Sequence, residues 1–314
     1  MKILITGSAG FIGFHLHKYL KKYYNVTGCD NLSSSSKFTQ KLRLNEIKKN
    51  KLKFIKIDLN NEKKFYKKFK NKKFDFIIHL AAQPGVRVSQ LEPVKTINNN
   101  IISFINIFEY AIKTKVKNIF YASSSSIYGN TNNFSESLSK PSPISIYGVS
   151  KITNEYLAKT YNFLNQINSV GLRFFTVYGP FGREDMSYYK FLNDIKKFKK
   201  IKIYGDKTSK RSFTYIDDIV VSIHKLIDAY KNKKKFCEIF NIGNNKSRSL
   251  KDLIKIIKKN EAIKFKEVHV ERNKSDVYKT SSNNFKLNKL IKFSPKISLE
   301  KGMFLFFNWY KNKS

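Results

Sequence analysis

The segment KILITGSAGFIGFHLHKYL, residues 2–20, restricts the fold more than any other stretch of the chain. An apolar run passes straight into a glycine loop and then into a helical pattern. Gly7, Gly10 and Gly13 are spaced G-x-x-G-x-x-G, one residue longer than the commonest dinucleotide fingerprint. Glycines at such a junction permit a tight turn and close backbone approach, and the helix N-terminus beyond them suits a pyrophosphate. A strand–loop–helix of this kind opens a βαβ unit, so alternating strands and helices are expected downstream.

They are present. KILIT (2–6), NVTGC (25–29), LKFIKI (52–57), FDFIIHLA (74–81), VKNIFYAS (116–123) and NSVGLRFF (168–175) read as strands. Helical stretches lie near 11–23, 61–70, 93–113 and 146–165. Strands apolar on both faces predict a parallel sheet covered by helices. Residues 31–50, NLSSSSKFTQKLRLNEIKKN, read as an insertion that breaks the alternation after the second strand. The pattern loosens after about residue 175. IYGDKTSKRSFTYIDDI reads as a loop leading into a helix over 216–230, EIFNIG as a short strand, and SLKDLIKIIKK as a helix capped by Ser249 with Asp252 three residues on. A smaller α+β region beside the sheet is the expectation.

At 314 residues and 41% hydrophobic content the chain can bury one large or two modest cores. It has no run of about 18 apolar residues that would span a membrane. The N-terminus lacks the order of a signal peptide, so a cytoplasmic location is expected. Cys29 and Cys237 fit no metal or disulfide spacing and read as buried thiols; no metal is expected. The formal charge of +38 comes from scattered lysines with few arginines. That is a bias over solvated helix faces, so nucleic acid is set aside as the main partner, although a positive field can steer a small anion inward.

Asp30 ends the second strand, where a carboxylate accepts hydrogen bonds from an adenosine ribose and disfavours a 2′-phosphate; this points to NAD over NADP. Asp58, after the third strand, faces either an adenine amine or an ordinary turn. Tyr147 and Lys151 stand four apart at the start of a helix and so share a face. A free tyrosine, with a pKa of about 10, is a poor base at neutral pH. A lysine ammonium one turn away is expected to favour the phenolate. Ser124, at the end of the fifth strand, sits where strand C-termini line a cofactor cleft. Tyr-x-x-x-Lys alone equally suits a solvated helix pair; the order glycine loop, serine, tyrosine–lysine is far more specific.

ITGSAGFIGFHL, CDNL, HLAAQPGVRVS, YASSSSIYG, YGVSK, GLRFFTVYGPFGREDM, RSFTYIDDI and FNIGN together resemble the extended short-chain dehydrogenase/reductases of the nucleotide-sugar epimerase group, most of all the UDP-glucuronate 4-epimerases. The resemblance runs nearly end to end. It implies an α/β fold, a Rossmann-type doubly wound parallel sheet with a smaller α+β C-terminal substrate lobe. Residues 1–174, with 212–242 returning to them, would form the NAD-binding domain, and 175–211 with 243–314 the nucleotide-sugar lobe. Carried over residue by residue, Gly7, Gly10, Phe11, Ile12, Gly13, Asp30, Asn31, Asp58, Leu59, Leu80, Ala81, Ala82, Asn98, Ser123, Tyr147 and Lys151 would contact NAD. Tyr147, Lys151 and Ser124 would be catalytic, with Ser124 and Tyr147 flanking the sugar O4. Arg87, Arg211, Arg272 and Asp276 would meet the nucleotide-sugar. A homodimer through the helices near 93–113 and 146–165 is also implied.

Relatives that eliminate water or decarboxylate carry Asp or Glu in the two positions after the catalytic Ser or Thr. Here those positions are Ser125 and Ser126, which cannot act as carboxylate acids or bases near neutral pH. Hydroxyls can instead hold a substrate carboxylate still, with Arg183 pairing bidentately. Arg183 also suits a phosphate or a structural ion pair, and Thr176 suits a backbone turn as well as a substrate contact. The expected reaction is NAD-dependent C4 epimerisation of UDP-glucuronate to UDP-galacturonate. The alternatives are a UDP-glucose or UDP-N-acetylhexosamine 4-epimerase, or a non-catalytic NAD- or RNA-binding protein on the same fold.

Overall fold

The computed structural model describes residues 1–138, 140–260, 264–272 and 275–313. The strands are β1 (Lys2–Thr6), β2 (Asn25–Asp30), β3 (Lys53–Lys56), β4 (Phe76–His79), β5 (Asn118–Ser124), β6 (Asn168–Phe174), β7 (Thr176–Tyr178), β8 (Lys200–Tyr204), β9 (Lys210–Arg211), β10 (Phe213–Tyr215), β11 (Cys237–Ile242), β12 (Arg248–Ser249) and β13 (Lys266–Val270). The helices are α1 (Phe11–Leu20), α2 (Lys37–Lys49), α3 (Glu62–Phe69), α4 (Val86–Leu91), α5 (Pro93–Ile97), α6 (Ser103–Thr114), α7 (Ile146–Asn165), α8 (Ser187–Phe198), α9 (Ile216–Tyr230), α10 (Leu250–Asn260), α11 (Phe285–Ile291) and α12 (Leu299–Lys311).

Seven strands form one sheet in the order β11-β6-β5-β4-β1-β2-β3, every pair parallel. The expected Rossmann-type doubly wound sheet is present. Its central strands are buried on both faces, as βαβ crossovers require, while the edge strand β3 is half-exposed. Ile3 and Ile5 of β1 face one core with Phe76, Phe120 and Leu172, while Leu4 faces the other with Ile77, Ile119 and Tyr121. The winding reverses between β1 and β4, whose C-terminal ends pair at Thr6 and His79. That reversal opens a crevice at the strand ends, the place where such sheets bind ligands.

Residues 31–50 do not interrupt the alternation, contrary to the expectation. They contain α2, the crossover helix between β2 and β3. Its buried residues are Thr39, Gln40, Arg43 and Ile47, so three of the four are polar and the helix shows almost no apolar stripe. The helix expected over 93–113 is broken in two by a π-helical turn at Asn98–Ile102. Past residue 175, the loop ahead of α9 contains β9 and β10; β10 pairs with β7, and β8 with β13. Ser249 caps α10 as expected: its hydroxyl accepts from the Asp252 N–H at 3.1 Å, and the Asp252 carboxylate accepts from the Ser249 N–H at 2.9 Å. Cys29 is buried, but Cys237, on the edge strand β11, is only half-buried.

Candidate active site

The crevice holds a cavity of about 980 Å³. Its first wall is the glycine loop. Gly7 stands at φ +70°, and a Cβ there would lie 2.6 Å from the Ala81 nitrogen. A Cβ on Gly13 would lie 2.1 Å from the Gly7 carbonyl oxygen. Side chains are therefore excluded where backbone must meet backbone and ligand. Gly10 caps α1 without a side-chain hydrogen bond, so the helix presents bare N–H groups to the cavity. Asp30 closes the far end of this wall, its oxygens accepting from the Ala9 and Leu32 N–H groups at 3.1 and 2.7 Å. Burial raises its pKa above the usual carboxylate value, and those N–H groups and the Arg43 charge oppose the shift. An anion-binding helix end beside a ribose-binding carboxylate fits a dinucleotide with a free 2′-hydroxyl. Phe11, Ile12, Asn31, Asp58, Leu59, Leu80, Ala81 and Ala82 line the same region.

The second wall is the end of β5 and the start of α7. Behind it lies a buried polar network. Arg173 grips Glu155 through Nε and Nη2 at 2.8 and 2.7 Å, and its Nη1 donates to the Tyr128 hydroxyl at 2.8 Å. The Ser123 hydroxyl donates to Glu155 at 2.5 Å. Ser123 thus points its side chain into this network, not at a cofactor as expected; it faces the cavity only as part of the wall. The Ser124 hydroxyl accepts from the Ser126 N–H at 3.1 Å and opens a 3₁₀ turn, Ser125–Tyr128. Ser124 and Ser125 line the cavity. Ser126 does not: the turn folds its hydroxyl back to accept from Ser124 at 3.2 Å.

Ser145 caps α7 by accepting from the Gly148 N–H at 3.1 Å, which sets Tyr147 and Lys151 facing the cavity beside Ser124. Burial raises the pKa of the Tyr147 phenol above its ordinary value; the Arg183 charge and a hydrogen bond with Ser124 pull it back. The Arg183 charge is thus a second cation that favours the phenolate, one the sequence did not offer, beside Lys151 one turn along α7. Lys151 Nζ lies 5.8 Å from the Tyr147 ring centroid and donates to the Ala122 carbonyl at 3.0 Å. Burial lowers its pKa to about 8.

The third wall supplies cations from distant segments. Arg183 lines the cavity with Thr176, but its fork grips Asp185 through Nε and Nη2 at 3.0 and 2.6 Å, so the bidentate pairing expected for a substrate carboxylate is occupied by this ion pair. Arg87 pairs with Asp276 at 2.7 Å and stacks over Tyr204. Arg211 and Arg272 both donate to the Val277 carbonyl at 2.8 Å, and Arg272 stacks on Tyr278. Asn273 and Lys274, within the ERNKSD stretch, lie outside the described residues. Asn98 is exposed and away from the cavity; the π turn brings Asn99 to the wall in its place. Sequence reasoning also missed Ser33–Ser36, Gln40 and Arg43 of the supposed insertion, and Lys190 and Lys202, which line the cavity. The polar buried face of α2 was the one available signal.

The model of the NAD dependent epimerase/dehydratase family matches residues 3–243. The UDP-glucuronate 4-epimerase of Thermodesulfobacterium geofontis is 38% identical over 98% of this chain and 95% of that protein. UDP-glucuronate 4-epimerase 4 of Arabidopsis thaliana is 35% identical over 98% of this chain and 75% of that one. The crystal structure of UDP-glucuronic acid 4-epimerase from Bacillus cereus, in complex with UDP-glucuronic acid and NAD, superposes with a TM-score of 0.91 at 31% identity, each chain covered completely.

Proposed function

The chain belongs to the NAD dependent epimerase/dehydratase family, and we propose that within it the protein interconverts UDP-glucuronate and UDP-galacturonate by epimerisation at C4. The observation that carries this reading is the wall around Tyr147: Ser124 beside the phenol, a serine where eliminating relatives need an acid, and Arg183 across the cavity.

NAD, when bound, supplies reversible hydride transfer at the sugar C4. The chain's own residues do the rest. Tyr147 takes the O4 proton and later returns it, with Arg183 and Ser124 offsetting part of the burial that raises its pKa. Ser124 orients O4. Ser125, Thr176 and the outer edge of Arg183 hold the C5 carboxylate. Such a hold keeps the carboxylate bond out of line with a C4 carbonyl, which slows loss of carbon dioxide. Arg87, Arg211 and Arg272 neutralise the diphosphate, and Asp276 receives the nucleoside ribose.

A homodimer is part of the same proposal. Leu91, Val94, Ile102, Val149, Tyr156 and Phe163 are exposed on α4–α7 and the π turn, more apolar surface than a solvated helix pair needs. Free Cys29 and Cys237 suit a reducing, cytoplasmic setting, and a role in polysaccharide assembly fits the product. Among the described residues no helix is long and apolar enough to cross a membrane.

The test is to incubate the purified protein with UDP-glucuronate and follow products by NMR. The 4-epimer without carbon dioxide is expected. UDP-xylose or its 4-keto form would refute the reading, and turnover of UDP-glucose alone would select the neutral-sugar alternative.

A further inference from the structure

The loop that carries Arg183 follows β7 and makes several of its polar contacts with the cofactor half. The Pro180 carbonyl accepts from His15 Nε2 of α1 at 2.9 Å. The Phe181 carbonyl accepts from Arg43 Nη1 of α2 at 2.6 Å. The Glu184 N–H donates to Ser36 Oγ at 3.3 Å, and the Glu184 carboxylate accepts from the Thr39 N–H and hydroxyl at 2.9 and 3.1 Å. Between these anchors Phe181 is held at φ +58°, a left-handed conformation a non-glycine residue adopts only when its surroundings impose it. Arg183 lies inside the pinned segment.

Arg43 is the centre of this bracket. It is 1% exposed, and its Nε donates to the Ala9 carbonyl of the glycine loop at 2.7 Å. One rigid guanidinium therefore ties the glycine loop to the loop of Arg183, with Asp30 and Glu184 as the acids that compensate its charge. A planar fork with fixed donors transmits position in a way a flexible ammonium does not.

We infer that Arg43 is a positioning residue for the sugar acid: α2 sets the register of Arg183 against the seated cofactor, so that selectivity for a uronate over a neutral hexose depends on a side chain that touches neither sugar. This rests on the reading of Arg183 as the carboxylate clamp.

The experiment compares Arg43→Met, Thr39→Val, Arg183→Ala and the Arg43→Met/Arg183→Ala double variant at saturating NAD. It measures KM for UDP-glucuronate and the competitive inhibition constant of UDP-glucose. Arg43→Met should raise the UDP-glucuronate KM about tenfold and move the UDP-glucose constant less than about twofold, the cost of misplacing one binding group from a distance. Thr39→Val, which keeps the buried charge in place, should shift the same ratio by about threefold. The double variant should be no worse than Arg183→Ala, since the two act through one contact. Equal weakening of both ligands in Arg43→Met, or in Thr39→Val should the first variant not fold, overturns the inference; so does a double variant whose losses add. Arg183→Ala acting equally on both ligands overturns the clamp and this inference with it. A selective Arg183→Ala beside an unselective Arg43→Met overturns this inference alone.

Discussion

The two halves of the cavity are built by different means. The cofactor half is mostly backbone: bare N–H groups at the start of α1, glycines pressed against carbonyls, and one acid at the end of β2. The opposite half, proposed above for the sugar nucleotide, is mostly side chain: Arg87, Arg183, Arg211 and Arg272 come from separated segments, each held by a carboxylate or a carbonyl. The contrast teaches where each half is fragile. A backbone site fails when a single atom is added, because nothing can move aside. A side-chain site loses its contacts one at a time.

Gly13→Ala is the strongest way to break that contrast. Its methyl would meet the Gly7 carbonyl at 2.1 Å, so NAD affinity should fall by roughly a thousandfold, the size of effect reserved for backbone overpacking. Titrating NAD into the variant checks it, and native affinity would show that the loop is not rigid.

Acid should act next, and through the cofactor half. His17 and His79 are buried, and burial lowers their pKa values to about 4 and about 3. Below the unfolded value of 6.5 the unfolded chain takes up protons that the folded chain refuses. The stability these histidines preserve is complete above about pH 6.5 and is lost progressively toward pH 4, on the order of 3 kcal/mol each. Urea midpoints measured from pH 7 to pH 4.5 should fall, and His17→Leu should flatten the decline; a flat wild-type profile would show that the folded state protonates freely.

In the substrate half, Arg183→Ala should raise the KM for UDP-glucuronate by roughly thirtyfold, the worth of a charge-assisted pair. It should also move the acidic limb of the rate profile, where Tyr147 loses its proton to act as base, to higher pH, since the Arg183 charge pulls the Tyr147 pKa down. An unmoved limb would leave that role to Lys151 alone. The smallest effect should come from Arg87→Ala. Its pair with Asp276 is partly solvated, and such pairs contribute about 1 kcal/mol or less, so the urea midpoint of folding should barely move even where KM rises with the lost diphosphate contact.

Legibility followed the same division. The glycine loop, Asp30, Ser124, Tyr147 and Lys151 were readable because each stands at the end of a strand or start of a helix that its own periodicity announces. The helix α2 was hidden because it buries Thr39, Gln40 and Arg43, and polar burial leaves no apolar stripe. Asn98 was misplaced because a π turn, invisible in composition, advances the face by one residue. Ser126 was misassigned because a 3₁₀ turn, not an extended strand, follows Ser124.

By itself the sequence determined the parallel sheet, the cofactor loop and the grouping of serine, tyrosine and lysine at one edge, since all strand C-termini of such a sheet meet there. Only the tertiary structure brought Arg183 toward the tyrosine and showed what α2 packs against. Apolar burial repeats along a chain and can be read from it. A hydrogen bond from Arg43 to a carbonyl 138 residues away repeats nothing, and exists only once the fold has brought the two together.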